Sequence, residues 1–240
     1  MRILVIFSIF CSTLLADTKV LSDTSMQFEP IFSSDKILDR FTKTQNEQSY
    51  ENYKELIVRY AKQNNLNAML LAAIIKVESN FDKKAVSATN AIGLMQIKLD
   101  QSVSDVYKNI FGRIDLPPIE QLLDPQFNIS IGSAYLNLIS TKYFKDIKNP
   151  QTKEYCIIAA YNAGAGEVLR TFSSNKIEAQ TIINNQMPDE VLANLKTKLM
   201  NEQGRRYIQK VLDAKNELET KNSTRSPNRD SFIFVNPLNR

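Results

Sequence analysis

Glu78 stands at the end of the apolar run Ala68–Val77, in which Lys76 is the only charged residue. A run that is apolar on every side is the pattern of a helix buried all round. Such a helix carries the carboxyl at its end into a low-dielectric setting, next to the negative end of the helix dipole. Both effects disfavour the ionised form and raise the pKa. A glutamic acid still protonated near neutral pH can donate to a leaving-group oxygen, and glycoside cleavage is the common reaction that uses one. A carboxylate at a helix end also commonly just protrudes into water, and position alone leaves both readings open.

Composition narrows the chemistry. The 240 residues include no histidine and no tryptophan. Without imidazole there is no Ser-His-Asp or Cys-His nucleophile pair and no His-ligated metal site, so proton transfer falls to carboxylates, Lys or Tyr. A net charge of +4, from 30 basic and 26 acidic residues with no long basic run, gives little support to nucleic-acid binding. With only 6 Gly and 8 Pro, few tight turns are available, which favours helices over a sandwich or barrel.

Several fragments accompany Glu78: Glu78-Ser79-Asn80-Phe81, then Ala85-Val86-Ser87, then Gly93-Leu94-Met95-Gln96-Ile97, and later Ala159-Ala160-Tyr161-Asn162-Ala163-Gly164. In this order and at these spacings they resemble the lytic transglycosylase domain of bacterial cell-wall enzymes, the SLT domain, which is similar to glycoside hydrolase family 23. Further on, Val168–Ser173, Met187-Pro188 and Arg205–Val211 resemble the membrane-bound, C-type branch of that family. The resemblance covers about residues 48–218. It implies an all-α, lysozyme-like fold (the goose-type lysozyme and lytic transglycosylase class) and cleavage of the bond between N-acetylmuramic acid and N-acetylglucosamine. Glu78 would then be the single catalytic acid and afterwards base, the muramoyl 6-hydroxyl closing on C1 to leave a 1,6-anhydro end. Hydrolytic glycosidases usually need a second carboxylate, whereas an internal hydroxyl and the substrate's own acetamido group could replace it. The matching motifs contain no second acid. Asp82, beside Lys83 and Lys84, reads as a solvated loop residue.

Other site residues follow with alternatives. Gln96 is a candidate to hydrogen-bond an acetamido group or sugar hydroxyl, and Met95 to line a saccharide groove, while Leu94 and Ile97 read as core. Tyr161 and Asn162, at the end of an apolar helix, are placed to face Glu78 and hold it or the glycan, although a buried Tyr hydroxyl needs a partner in any fold. Ser79 and Ser87 are candidates to bond the Glu78 carboxyl or to cap the adjoining turn. Tyr207 matches a family tyrosine near the site, although tyrosine on an amphipathic helix is usually core. Where the family usually has Gly, this chain has Asn90, the next-best residue for a left-handed turn. No metal or organic cofactor is implied. The partners expected are peptidoglycan glycan strands and envelope-assembly proteins, with no nucleic acid and the chain a monomer. A goose-type lysozyme-like hydrolase and a non-catalytic peptidoglycan-binding scaffold are the alternatives.

The elements that must position these residues are helical. Tyr53, Leu56, Ile57, Tyr60 and Ala61 share one face of a helix over about 50–63. Further helices are expected near 100–111, after Asp124-Pro125, over 152–161 with a stop at Gly164, and over 164–172, 177–184, 188–199 and 202–219. Pro188 suits a first helical turn. Before them, residues 1–16 read as a secretory signal and 17–47 as an arm with one short helix around Lys36–Phe41. The catalytic domain spans 48–220 and a tail over 221–240 is expected to be disordered, apart from the Phe232–Val235 patch. Export places the protein in the periplasm of a Gram-negative bacterium, with association with the outer membrane a further expectation. Phe10 and the short preceding segment count against acylation of Cys11. With Cys11 removed, Cys156 has no partner for a disulfide and reads as a buried packing residue.

Overall fold

The computed structural model describes residues 50–200 and 202–225. The expected signal, the arm with its short helix, Cys11 and the Phe232–Val235 patch lie outside the described residues. Helix α1, Lys54–Gln63, buries Ile57 and Ala61 and packs Tyr53, Leu56 and Tyr60 partly against the core, which is the face that their spacing predicts. Helix α2, Ala68–Ser79, opens on Asn67, whose side chain accepts from the backbone N–H groups of Met69 and Leu70. That satisfies two of the donors a helix start leaves open. The seven residues Ala68 and Leu70–Ile75 are buried, so α2 is the central helix. It is packed most extensively by the last helix of the fold.

The segment expected as one helix near 100–111 is helical but irregular. Wide π turns at Leu99–Val103 and Tyr107–Phe111 flank a single α turn, α3, Ser104–Val106. A short 3-10 segment, Ile119–Leu123, leads to α4, Pro125–Leu138, where the Asp124 carboxylate caps Phe127 N–H and Pro125 occupies the first turn. Further π turns at Ile139–Tyr143 extend it. Helix α5, Pro150–Ala163, is capped by Asn149 and stops at Gly164, whose φ of 87° is open to glycine at little cost. Cys156 lies inside α5, fully buried, and burial pushes its thiol up to about 12, as a packing residue requires.

Three shorter helices follow: α6, Ala165–Arg170; α7, Lys176–Asn184; and α8, Pro188–Lys198, with Pro188 in its first turn. Helix α9, Glu202–Arg225, then lies against α2, α5 and α8. It runs past the expected end near 219 and into the segment expected as a tail. The Lys221–Glu217 pair and hydroxyl bonds from Thr220 to Asn216 O and from Ser223 to Glu219 O hold those last turns in helical register. Among the described residues there are no β-strands, only isolated antiparallel bridges between Val86 and Ile92 and between Ile92 and Ile97. No helix of the described residues is long and apolar enough to cross a membrane.

Candidate active site

Glu78 sits in the last turn of α2, which ends at Asn80 with φ 51°, followed by Phe81 with φ 64°. Two consecutive left-handed residues without glycine are costly, most of all for a bulky side chain. Burial of the Phe81 ring, only 4% exposed and set edge-on to Tyr50 at 6.2 Å, offsets that cost.

The Gly93–Ile97 stretch forms a tight loop beside it. Ile92 and Ile97 exchange two backbone hydrogen bonds of 3.0 Å, and Gly93 N–H reaches Ala85 O at 2.8 Å. Gly93 has φ 75°, and a Cβ there would lie 2.4 Å from Asn128 Nδ2 and 2.6 Å from Leu122 O, so glycine is required twice over. Asn90, expected to replace a glycine in the adjoining turn, adopts φ 58° as that turn demands.

Three side chains from three helices pin this loop. Ser79 Oγ of α2 donates to Leu94 O at 2.8 Å, and Tyr161 OH of α5 donates to Met95 O at 2.8 Å. Asn128 of α4 is 1% exposed; its Oδ1 accepts from Met95 N–H at 2.8 Å and its Nδ2 donates to Ile92 O and Leu122 O. Sequence reasoning missed Asn128. Its signal was an amide side chain beside Ile129 and Ile131 in a helix with a buried face, since a buried amide has to be satisfied by something.

The pocket beside the loop has a volume of about 450 Å3 and is lined by Val77, Glu78, Gln96, Asn162, Glu202, Gln203, Arg206, Tyr207 and Lys210. That lies within the usual range for small-ligand sites, about 300–1,000 Å3, and its lining is mostly polar. Of the residues singled out from sequence, Glu78, Gln96, Asn162 and Tyr207 converge there. Ser79 and Tyr161 spend their hydroxyls on the loop. Met95 and Leu94 and Ile97 are fully buried. Ser87 caps its own turn, accepting from Ala91 N–H at 3.0 Å and Thr89 N–H at 3.2 Å. Asp82 is exposed and accepts from Lys84 N–H. Gln96, with φ 48°, donates through Nε2 to Ala85 O and Gly93 O.

Burial raises the Glu78 carboxyl to about 7, and a hydrogen bond from Tyr207 OH to its Oε1 at 2.8 Å works the other way, favouring the ionised form. Tyr207 and Tyr161 are both held far above the usual phenol range, first by burial and then by the Glu78 charge, so both stay donors. Asn162 presents a buried Oδ1 with no hydrogen-bond partner. The second carboxylate of the pocket, Glu202, is exposed and paired with Arg206, which holds it below the ordinary carboxylate range. Among the described residues no group of three or more acidic or thiol side chains could hold a metal ion.

A family model described as the transglycosylase SLT domain matches residues 55–184. The chain is 40% identical over 162 residues to a membrane-bound lytic murein transglycosylase C of Pectobacterium atrosepticum, covering 68% of this chain and 45% of that protein. It is 37% identical over 169 residues to one of Klebsiella pneumoniae, covering 70% and 47%. The chain thus spans about half the length of these relatives. Among solved structures, the fold is similar to the 70 kDa soluble lytic transglycosylase of Escherichia coli, with TM-score 0.53 and 25% identity over 70% of this chain and 24% of that one. It is similar also to an inactive mutant of the lytic transglycosylase Slt of Pseudomonas aeruginosa, with TM-score 0.52 and 25% identity over 71% and 24%.

Proposed function

The chain belongs to the transglycosylase SLT family, and from that premise we propose that it is a peptidoglycan lytic transglycosylase in which Glu78 serves as acid and then base. The observation that carries the reading is the Glu78 carboxyl, raised to about 7 by burial and held by Tyr207 in a polar pocket. Protonated, Glu78 donates to the glycosidic oxygen as the C1–O4 bond breaks. The muramoyl 6-hydroxyl then bonds to C1 and returns its proton to the Glu78 carboxylate, leaving a 1,6-anhydro end with no water consumed. Asn162 lines the pocket beside Glu78, and Gln96 leaves its amide oxygen for the glycan. Ser79 and Tyr161 contribute by holding the loop that forms the pocket wall, Met95 by its buried place in that loop, and Ser87 by capping the turn before it. We place the protein in the envelope of a Gram-negative bacterium, in the periplasm at the outer membrane.

Glu202 gives the hydrolytic alternative one specific foothold, because a second carboxylate could activate water. Its pairing with Arg206 argues against that role. Incubation with purified sacculi and mass spectrometry of the products decides between them: muropeptides lighter by one water are expected, from both the native protein and Glu202→Gln. Reducing-end products that vanish in Glu202→Gln would establish hydrolysis instead.

A further inference from the structure

Gly132 occupies the interior of α4, where it is buried and has none of the positive φ found at Gly93, Gly112 and Gly164. Glycine at such a position weakens a helix relative to alanine, so backbone freedom does not account for it. Space does. A Cβ on Gly132 would lie 2.7 Å from Met95 Cε and 3.0 Å from Met95 Cβ, and nearer still to Met95 Sδ. A methionine at the surface would swing aside, but Met95 is fully buried, and a close-packed interior offers it no second place. The Met95 side chain therefore lies directly on the bare backbone of α4.

Gly132 follows Asn128 by four residues, so the two meet the loop from the same side of α4. Asn128 Oδ1 takes the Met95 N–H at 2.8 Å, Tyr161 OH donates to Met95 O at 2.8 Å, and Gly132 receives the side chain. Met95 is thus fixed at its N–H, its carbonyl and its side chain, immediately before Gln96. Gln96 lines the pocket with φ 48°, a costly value for a residue with a Cβ, and such a conformation persists only where its surroundings over-determine it. We propose that Gly132 is a positioning residue: by seating Met95 it sets how Gln96 is presented to the pocket, and so the grip of that amide on the glycan. The inference rests on the transglycosylase reading, in which the Gln96 amide oxygen meets the glycan.

The test measures kcat/KM on soluble glycan strands for the native protein, Gly132→Ala, Gln96→Ala and the two changes together, with chemical denaturation of each. Gly132→Ala should lower kcat/KM roughly two- to tenfold, the scale of one hydrogen bond to the substrate. The alkaline limb of the kcat–pH profile should stay in place, since Glu78 and Tyr207 meet through α2 and α9. Added to Gln96→Ala, the same change should cost no further activity. A glycine that served the fold alone would show no such dependence on Gln96. Should Gly132→Ala fail to fold, Met95→Ala supplies a second background: with the sulfur and its methyl group gone, Gly132→Ala should destabilise less than it does beside methionine. Equal activity losses with and without Gln96, undiminished activity in folded Gly132→Ala, a shifted alkaline limb, or equal destabilisation with and without the Met95 side chain would overturn the inference while leaving the transglycosylase reading intact. No turnover of glycan strands by the native protein would overturn both.

Discussion

Two opposed influences set the proton affinity of Glu78: burial lifts it to about 7 and Tyr207 pulls it down. The sign of each gives a prediction. Tyr207→Phe removes a donor that favours the ionised form, so the alkaline limb of the kcat–pH profile should move to higher pH while kcat on its plateau falls about tenfold as the carboxyl loses its positioning. An alkaline limb that stays or moves down would refute the role given to Tyr207. Glu78→Gln should abolish turnover and also change stability in a pH-dependent way. Because the folded-state pKa is raised, native Glu78 binds its proton more tightly folded than unfolded. It costs nothing below about pH 4.5, and stability is lost as pH rises through about 7. The Gln variant does not titrate. Urea unfolding should show the two proteins alike near pH 4 and the variant more stable at pH 8.5, by up to about 3 kcal/mol.

At the scale of elements, the Gly93–Ile97 loop holds no regular structure and depends on helices for its shape. Asn128 supplies three of the bonds that fix it. Asn128→Ala would take the side-chain partner from Met95 N–H and Leu122 O in the interior, Ile92 O keeping its bond from Ile97 N–H, at about 1–3 kcal/mol for each group not rescued by water. A loss of about 2 kcal/mol or more in chemical denaturation is expected, with kcat reduced as well because Gln96 rides on the same loop. A change under 1 kcal/mol would show that the loop is held by its own backbone bonds. The helical spacing around α1 and α2 was readable because apolar faces must be buried together. The π turns at Leu99–Val103, which packs against α4, and at Tyr107–Phe111 were not, since wide turns leave no periodic mark.

For the whole molecule, the last helix matters most. The SLT family model stops at residue 184, yet α9 begins at Glu202 and brings Tyr207, Arg206 and Lys210 to the pocket. It also covers α2 with Tyr207, Ile208, Val211, Ala214 and Leu218, all buried, and ties Lys76 to Glu217 at 2.5 Å. Each large apolar side chain removed from that interface forfeits about 1.5–3 kcal/mol of burial, and the loss of all of them together is comparable to the whole stability of a domain, about 5–15 kcal/mol. A chain ending at Met200 should therefore lack a cooperative unfolding transition and bind a hydrophobic dye, and should not cleave sacculi. A sharp thermal transition in that truncated chain would show that α9 serves the site alone and not the fold.

Sequence by itself determined the chemistry available and much of the scaffold. The absence of histidine left carboxylates, Lys or Tyr, and the apolar run before Glu78 marked a buried helix with a candidate acid at its end, while position alone left open whether that carboxyl is buried or in water. Positive φ at Asn90 and the stop at Gly164 were equally local matters of backbone sterics. Only the tertiary structure decided which of the marked residues meet. It brought Tyr207, 129 positions away, onto Glu78, turned Ser79, Tyr161 and the missed Asn128 into clamps on one loop, and placed Glu202, Arg206 and Lys210 around the same cavity. These are contacts between faces of different helices, set by how the helices pack, and no spacing along a single chain segment encodes them.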